Sequence, residues 1–561
     1  MTIQTNTAGT EADPSRLSTI RRLYFYTITW VSLIAGVNAV AGLIRTLTDV
    51  WLTPASAYQV QVGNLMRDTI ASSGGLLLVA TPIFLLHWRY IRRNLTDAGE
   101  IWATLRKLYL YLSVGTGIFL LLTNGIPLVR GIAQIASGDA LSGSPIWPSR
   151  WLFLVLMMAL GTALAQYFDR IAQSDGDHGG EVGWGGTMRR LYQTILGLIG
   201  LGLLIFGAAG LLETFWRLVL PLERLGTGDN WWSEPFSNSV AMLVFGILVW
   251  RMNWQRWSQL AAANPDEAQT ALRRFYLYAG VVGSALAALI PAALLLREIL
   301  LILFGSGTGT TAELLAKLTM PLAYVPVGIL AWRWHWRTVS AEAARHDDEL
   351  GETPASATIR RLYYYLVAAA GLGMVWFGLV ELVQMVLDVV GISGLTTSEG
   401  KVWVDPLANG LSLLAVGAPI WAAHWRTVQQ VARRDDAGGL AERASLPRRV
   451  YLYGVLLVGA LMILFFLASV VYRLLLLVMG DPNANLFSTQ TAGDIARSAI
   501  SAILWAVHLL ALRRDLRLGA EQPVEQAIVA SAEDHRAALT ARINSLETEL
   551  AALRNELADL E

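Results

Sequence analysis

Arg21-Arg22-Leu23-Tyr24-Phe25-Tyr26 opens an apolar stretch, and the chain writes this opening six times. It returns as Arg106-Lys107-Leu108-Tyr109-Leu110-Tyr111, Arg189-Arg190-Leu191-Tyr192, Arg273-Arg274-Phe275-Tyr276-Leu277-Tyr278, Arg360-Arg361-Leu362-Tyr363-Tyr364-Tyr365 and Arg448-Arg449-Val450-Tyr451-Leu452-Tyr453. Successive openings are 83 to 88 residues apart, and so constant a step marks internal duplication. The copies also close alike. His87-Trp88-Arg89, His335-Trp336-Arg337 and His424-Trp425-Arg426 end the first, fourth and fifth, with Gln166-Tyr167, Asn253-Trp254 and His508 in the second, third and sixth.

Two apolar segments lie between each opening and closing, for instance Leu23 to Leu43 and Gly74 to Trp88. The first is long enough to cross a ~30 Å hydrocarbon core as a helix. The second is shorter but recurs with the same aromatic end. Neither alternates apolar and polar residues as barrel strands do. The 561 residues are 54% hydrophobic and 15% charged, against roughly 25% charged in soluble domains. Forty-three basic residues balance 43 acidic ones, so no global basic footprint points to nucleic acid. The absence of cysteine excludes disulfides and thiolate chemistry.

Charge sets the expected orientation. Of the 43 Lys and Arg, 29 fall in the N-terminal tail, the linkers between copies and the segment just after the last span, and 11 fall in the loops within copies. The positive-inside rule then places both termini and all linkers on the cytoplasmic side of the membrane, and a bacterial inner membrane is the expected compartment. On this reading each opening is an interfacial anchor, its Tyr rings and cations at headgroup depth. The expected fold is an all-α polytopic membrane protein with about twelve transmembrane helices. These form six tandem two-helix hairpin repeats over 21–105, 106–188, 189–272, 273–359, 360–447 and 448–515. A disordered tail covers 1–20, and a C-terminal cytoplasmic coiled-coil helix falls within 516–561.

The Arg-Arg-Leu-Tyr-x-Tyr opening, the two-span hairpin and the His-Trp-Arg closing resemble the bacterial membrane family called domain of unknown function 5671. The resemblance covers roughly residues 15 to 515 as tandem copies. The second, third and sixth copies depart from His-Trp at the closing, which counts against a role needing that His in every copy. The resemblance implies a fold unit and no activity.

Two sets of residues are functional candidates. His87, His335, His424 and His508 share one repeat position; pH sensing or axial ligation of a porphyrin-like pigment is one reading. Polar capping of a helix end, with Gln166 and Asn253 as substitutes, is the plainer one. The second set lies about 24 residues past each opening: Arg45, Arg130, Glu213 (with Arg217 a turn on), Arg297 and Arg473, with Gln384 and Glu381 in the fifth copy. At 1.5 Å per residue a helix carries them ~36 Å, to the far interface. A closed set of repeats would make them a charged collar, selecting ions or holding lipid phosphates. Snorkelling or local pairing, such as Arg297 with Glu298 or Arg45 with Asp49, is the alternative. Pro82 and Pro419 each precede a closing His by five residues and read as kinks or hinges. No Walker motif, mid-span lysine, metal-spaced His pair or nucleophile–base set is found. No enzymatic activity, metal or cofactor is therefore expected.

The tail carries the clearest signal of assembly. Leu539, Ile543, Leu546, Leu550, Leu553, Leu557 and Leu560 alternate steps of four and three, a heptad seam with Ile543, Leu550 and Leu557 at a. In a parallel homo-oligomer Arg542 meets Glu547 and Glu549 meets Arg554, both attractive, while Glu556 meets Glu561. The leading expectation is a non-enzymatic, self-associating membrane scaffold or ring-like assembly, in contact with lipid and enclosing lipid or a hydrophobic ligand. A channel or transporter using the collar stands second, and a pigment- or haem-binding protein third.

Overall fold

The computed structural model describes residues 14–52, 62–93, 95, 98–101, 103–138, 147–177, 183–222, 230–305, 310–350, 353–391, 403–482, 485–520 and 536–551. Among them no strand occurs. In chain order the helices are α1 (Pro14–Leu52), α2 (Val62–Arg93), α3 (Ala98–Ile101), α4 (Thr104–Ala136), α5 (Trp147–Asp177), α6 (Trp184–Val219), α7 (Ser233–Ala263), α8 (Pro265–Ala268), α9 (Ala271–Leu303), α10 (Thr311–Leu350), α11 (Pro354–Val389), α12 (Val404–Ala432), α13 (Ala437–Ala444), α14 (Leu446–Val478) and α15 (Thr489–Ala520). A further helix covers 536–551.

Two boundaries differ from the sequence reading. The first helix begins at Pro14, inside the segment expected to be a disordered tail, because proline is well accommodated in a first helical turn. At the other end α15 runs on to Ala520, past the expected domain boundary at 515. Leu553, Leu557 and Leu560 of the heptad lie outside the described residues.

Among the described residues twelve helices are long and apolar enough to cross a membrane. Helices α1, α4, α6, α9, α11 and α14 carry the openings, and α2, α5, α7, α10, α12 and α15 the closings. The 33 residues of α4 extend about 50 Å at 1.5 Å per residue. That exceeds a hydrocarbon thickness of ~30 Å.

The chain forms two compact units, residues 1–287 with 322–349 and residues 288–321 with 350–561. One packing rule holds for α1, α4 and α11. An opening helix packs on the closing helix of its own copy, then on both helices of the next copy. Thus α1 meets α2, α4 and α5, and α4 meets α5, α6 and α7, all in the first unit. In the second unit α11 meets α12, α14 and α15. Three short connectors, α3, α8 and α13, occupy the opening ends between first and second, third and fourth, and fifth and sixth copies.

Small residues set the helix separation. Gly117 of α4 and Gly161 of α5 face each other's backbone so closely that a Cβ on either would overlap main-chain atoms. Gly207 of α6 approaches the backbone of Leu243 on α7 in the same way. Such contacts substitute for hydrophobic driving force where helices meet in an apolar medium. Gly202, on the same helix as Gly207, has open space where its Cβ would be. Gly207→Ala should therefore lower stability by about 1–3 kcal/mol, the usual cost of overpacking. Gly202→Ala should be neutral or slightly stabilising, because alanine is the better helix former. Unfolding midpoints of the two purified variants check this, and equal shifts would contradict the close-approach argument.

Candidate functional site: a paired ionic layer at the openings

Most of the opening cations are held by acids or carbonyls of the chain itself. In even-numbered copies the first Arg is buried and engages a carboxylate near the end of its own closing helix. Arg106 donates from Nε and Nη2 to Asp175 at 2.8 and 3.2 Å. Arg273 donates to Glu342 at 3.3 and 2.6 Å, and Arg448 to Asp515 at 2.6 and 3.0 Å. All three are forked pairs, the geometry a planar guanidinium favours. The Arg side chains are 1%, 3% and 0% exposed.

In odd-numbered copies the opening pair grips a glutamate from the connector to the next copy. Arg21 and Arg22 donate to Glu100 at 3.1 and 3.0 Å. Arg189 and Arg190 donate to Glu267 of α8 at 3.0 and 2.7 Å. Arg361 donates to Glu442 of α13 at 2.7 Å. One acid thus ties the first copy of each pair to the start of the second. Tyrosine joins the two kinds of clamp in the last pair: Tyr365 donates its hydroxyl proton to Glu442 at 2.6 Å and accepts from Arg448 at 3.0 Å.

The repeated aromatics line the same seam. Trp88 lies tilted against Tyr109 with centroids 5.8 Å apart, Trp257 against Tyr276 at 5.4 Å and Trp425 against Tyr451 at 5.4 Å. Each contact joins the closing segment of an odd copy to the opening of the following even copy. Arg273 also lies over Trp254 and Trp257, and Arg448 over Trp425, at 5.1, 5.5 and 5.9 Å. Desolvated cation–π contacts of this kind contribute up to about 2 kcal/mol each.

The repeated histidines are internal straps. In His87, His335, His424 and His508 the Nδ1 atom bonds the carbonyl four residues back, at 2.7, 2.8, 2.9 and 2.7 Å. A carbonyl only accepts, so Nδ1 carries the proton and Nε2 is left as an acceptor. The Nε2 of His87, His424 and His508 faces the hydroxyl of Tyr24, Tyr363 or Tyr451 at 3.4, 3.2 and 3.2 Å. These are opening tyrosines of the same copy. His335 differs, because Tyr276 accepts from Trp250 instead. Asn253, at the corresponding place in the third copy, donates to the Gln193 carbonyl at 2.7 Å, and Gln166 is exposed. Four of the six closing residues thus reach the opening helix of their own copy.

The five collar positions are mostly paired. Arg130 reaches Glu234 on α7 at 2.7 Å. Arg297 reaches Glu298 at 2.5 Å, Asp405 on α12 at 3.1 Å and the Asn409 side-chain oxygen at 2.5 Å. Glu213 pairs with Arg217 one turn on at 2.7 Å. Arg473 turns to Asp494 of its own copy at 2.8 Å. Arg45 is exposed and, among the described residues, makes no ion pair with Asp49 or any other acid. The structure therefore joins these charges pairwise, between or within copies.

Sequence reasoning missed the six acids of the opening layer. Asp175, Glu342 and Asp515 lie 69, 69 and 67 residues after their Arg partners. Glu100, Glu267 and Glu442 lie 78, 77 and 81 residues after Arg22, Arg190 and Arg361. That recurrence was available to a search for acids at fixed offsets.

Removing a buried acid strands its cations. Glu267 is 4% exposed where Arg130's partner Glu234 is 69% exposed. Glu267→Ala should cost about 3–5 kcal/mol, and Glu234→Ala under about 1 kcal/mol; chemical denaturation of both variants compares them. Burial alone would raise the Glu267 carboxyl, but the hydrogen bonds and charges of Arg190 and Arg189 outweigh it and hold it below its ordinary value of 4.5. A depressed carboxyl stabilises the fold above its unfolded value, and that contribution is lost as pH falls through the folded value. Wild type should accordingly lose more stability than Glu267→Ala when pH is lowered from 6 to below about 4. Parallel acid profiles would contradict this.

Comparison with known families agrees with the internal duplication. The family model described as Domain of unknown function (DUF5671) matches residues 22–160, 190–325 and 361–507. Each match runs through an odd copy and into the closing helix of the next even copy, so the family unit takes two of the six copies, with the glutamate clamp inside it. No curated protein and no solved structure matches the chain. The three tandem matches cover most of the sequence, and the chain belongs to the DUF5671 family.

Proposed function

We propose that the protein is an integral membrane scaffold without catalytic chemistry, inserted through its twelve apolar helices and gathered into homo-oligomers by its C-terminal helix. Large apolar side chains face outward along the helices, Leu78, Phe119 and Phe465 among them, which suits a lipid surround rather than water. The bias of basic residues toward the opening ends supports both termini in the cytoplasm.

The observation that carries self-association is the helix over 536–551. It is exposed throughout, and Leu539, Ile543, Leu546 and Leu550 of the heptad seam are about half exposed. Such a stripe on a water-facing helix calls for a partner, and the attractive Arg542–Glu547 pairing of a parallel assembly makes a second copy the fitting one. The channel reading draws less support, because four of the five collar charges are spent on neighbouring side chains.

Leu546→Lys places a charge at a d position of the seam and should weaken self-association at least about a hundredfold. Mass photometry of the full-length protein in nanodiscs should then read multimers for wild type and single chains for the variant. An unchanged assembly state would remove the basis for the scaffold reading.

A further inference from the structure

Two closing helices carry charges that the paired layer does not use. On α2 the side chains of Leu78, Leu85 and Leu86 are exposed, and Arg89, Arg92 and Arg93 follow them, exposed as well. At 3.6 residues per turn these six share about 120° of the helix circumference. One face of α2 is thus apolar along the span and basic at its end. The same design recurs on α15 in the other unit. Ile503, Val507 and Leu510 are exposed and lead into exposed Arg513, Arg514 and Arg517, again within about 120°.

The cations of both stripes are unspent. Among the described residues none of the six arginines makes an ion pair or a hydrogen bond. No acid stands on α2 after Asp68. The one acid among the arginines of α15, Asp515, is taken by Arg448.

The stripes are not a general trait of closings. Arg92-Arg93 and Arg513-Arg514 lie five and six residues past the repeated His of the first and sixth copies. The same places hold Ile171-Ala172, Ser258-Gln259, Ser340-Ala341 and Gln429-Gln430 in the other four. A basic bias common to all cytoplasmic ends does not account for that difference.

We propose that each stripe holds the phosphate of one anionic phospholipid, whose acyl chains lie along the exposed apolar side chains of the same face. Hydrocarbon contact that gives way to unpaired cations matches the two ends of such a lipid, and long Arg side chains reach headgroup depth from the end of a span. A second copy seated on the same face would bring like charges together. The proposal rests on the membrane reading above and is independent of self-association.

Native mass spectrometry of the delipidated full-length protein, offered equal amounts of dioleoyl phosphatidylglycerol and dioleoyl phosphatidylcholine, tests it. Wild type should keep two phosphatidylglycerol molecules per chain with at least about a tenfold preference over phosphatidylcholine, since each cation near an anionic group contributes roughly fivefold. Arg92→Gln with Arg93→Gln should leave one, as should Arg513→Gln with Arg514→Gln, and all four together should abolish the preference. Arg433→Gln with Arg434→Gln removes the same charge just past α12, where Asp435 and Asp436 follow, and should leave both lipids in place. All these side chains are exposed, where substitution disturbs folding little. Equal retention of the two lipids by wild type, a stripe variant that keeps both phosphatidylglycerols, or a control that loses as much as a stripe variant overturns the proposal. Membrane fractionation of the same preparations separates the two readings: protein that leaves the membrane fraction sinks the membrane reading, whereas inserted protein without lipid preference sinks only these sites.

Discussion

A guanidinium buried at the end of an apolar helix needs a counter-charge within hydrogen-bond reach, and the rest of the structure is arranged around that need. Leaving Arg106, Arg273 or Arg448 unpaired would strand a desolvated cation at a cost of several kcal/mol. Each is met by a fork-on-fork acid from the returning helix. The pair does more to fix register than to add net stability, since the desolvation of two ions offsets much of their attraction. Sliding one helix by a single turn would separate Arg106 from Asp175 by about 5 Å. The ion pair therefore selects one alignment among many that bury similar apolar area.

The glutamate clamps act at the next level. A closing helix, a short connector and the next opening would otherwise be joined only by chain. Glu100, Glu267 and Glu442 tie the connector back to the preceding opening, and the Trp–Tyr contacts fill the seam beside them. The histidines belong to this system, spending one ring nitrogen on their own helix and, in three of four cases, the other on a tyrosine of the same copy. In His335 the second nitrogen makes no hydrogen bond among the described residues.

The parts of this arrangement that repeat letter for letter were legible in the sequence. The openings, the closings and the heptad announce themselves by identity and spacing, and the helices follow from their apolar length. The partner acids were not legible, because Asp and Glu alternate in the role and sit in connectors and helix ends where attention fell on basic residues. The opening cations consequently read as headgroup anchors, although half of them, Arg106, Lys107, Arg189, Arg273, Arg274 and Arg448, are buried within the chain. The collar positions were found by their offset from the openings, but their partners depend on which helices of neighbouring copies touch. Sequence spacing cannot report that.

The two kinds of clamp alternate along the chain, and that alternation has a consequence for how such a protein lengthens in evolution. Among the described residues a glutamate connector follows each odd copy, and a buried first-position Arg paired with its own returning helix occurs in each even one. Inserting a single copy would set two openings of the same type in succession and leave one set of buried cations without an acid. Growth by pairs preserves the parity. The present chain of three pairs is thus one member of a series in which two pairs or four would keep both kinds of clamp complete and three and a half would not.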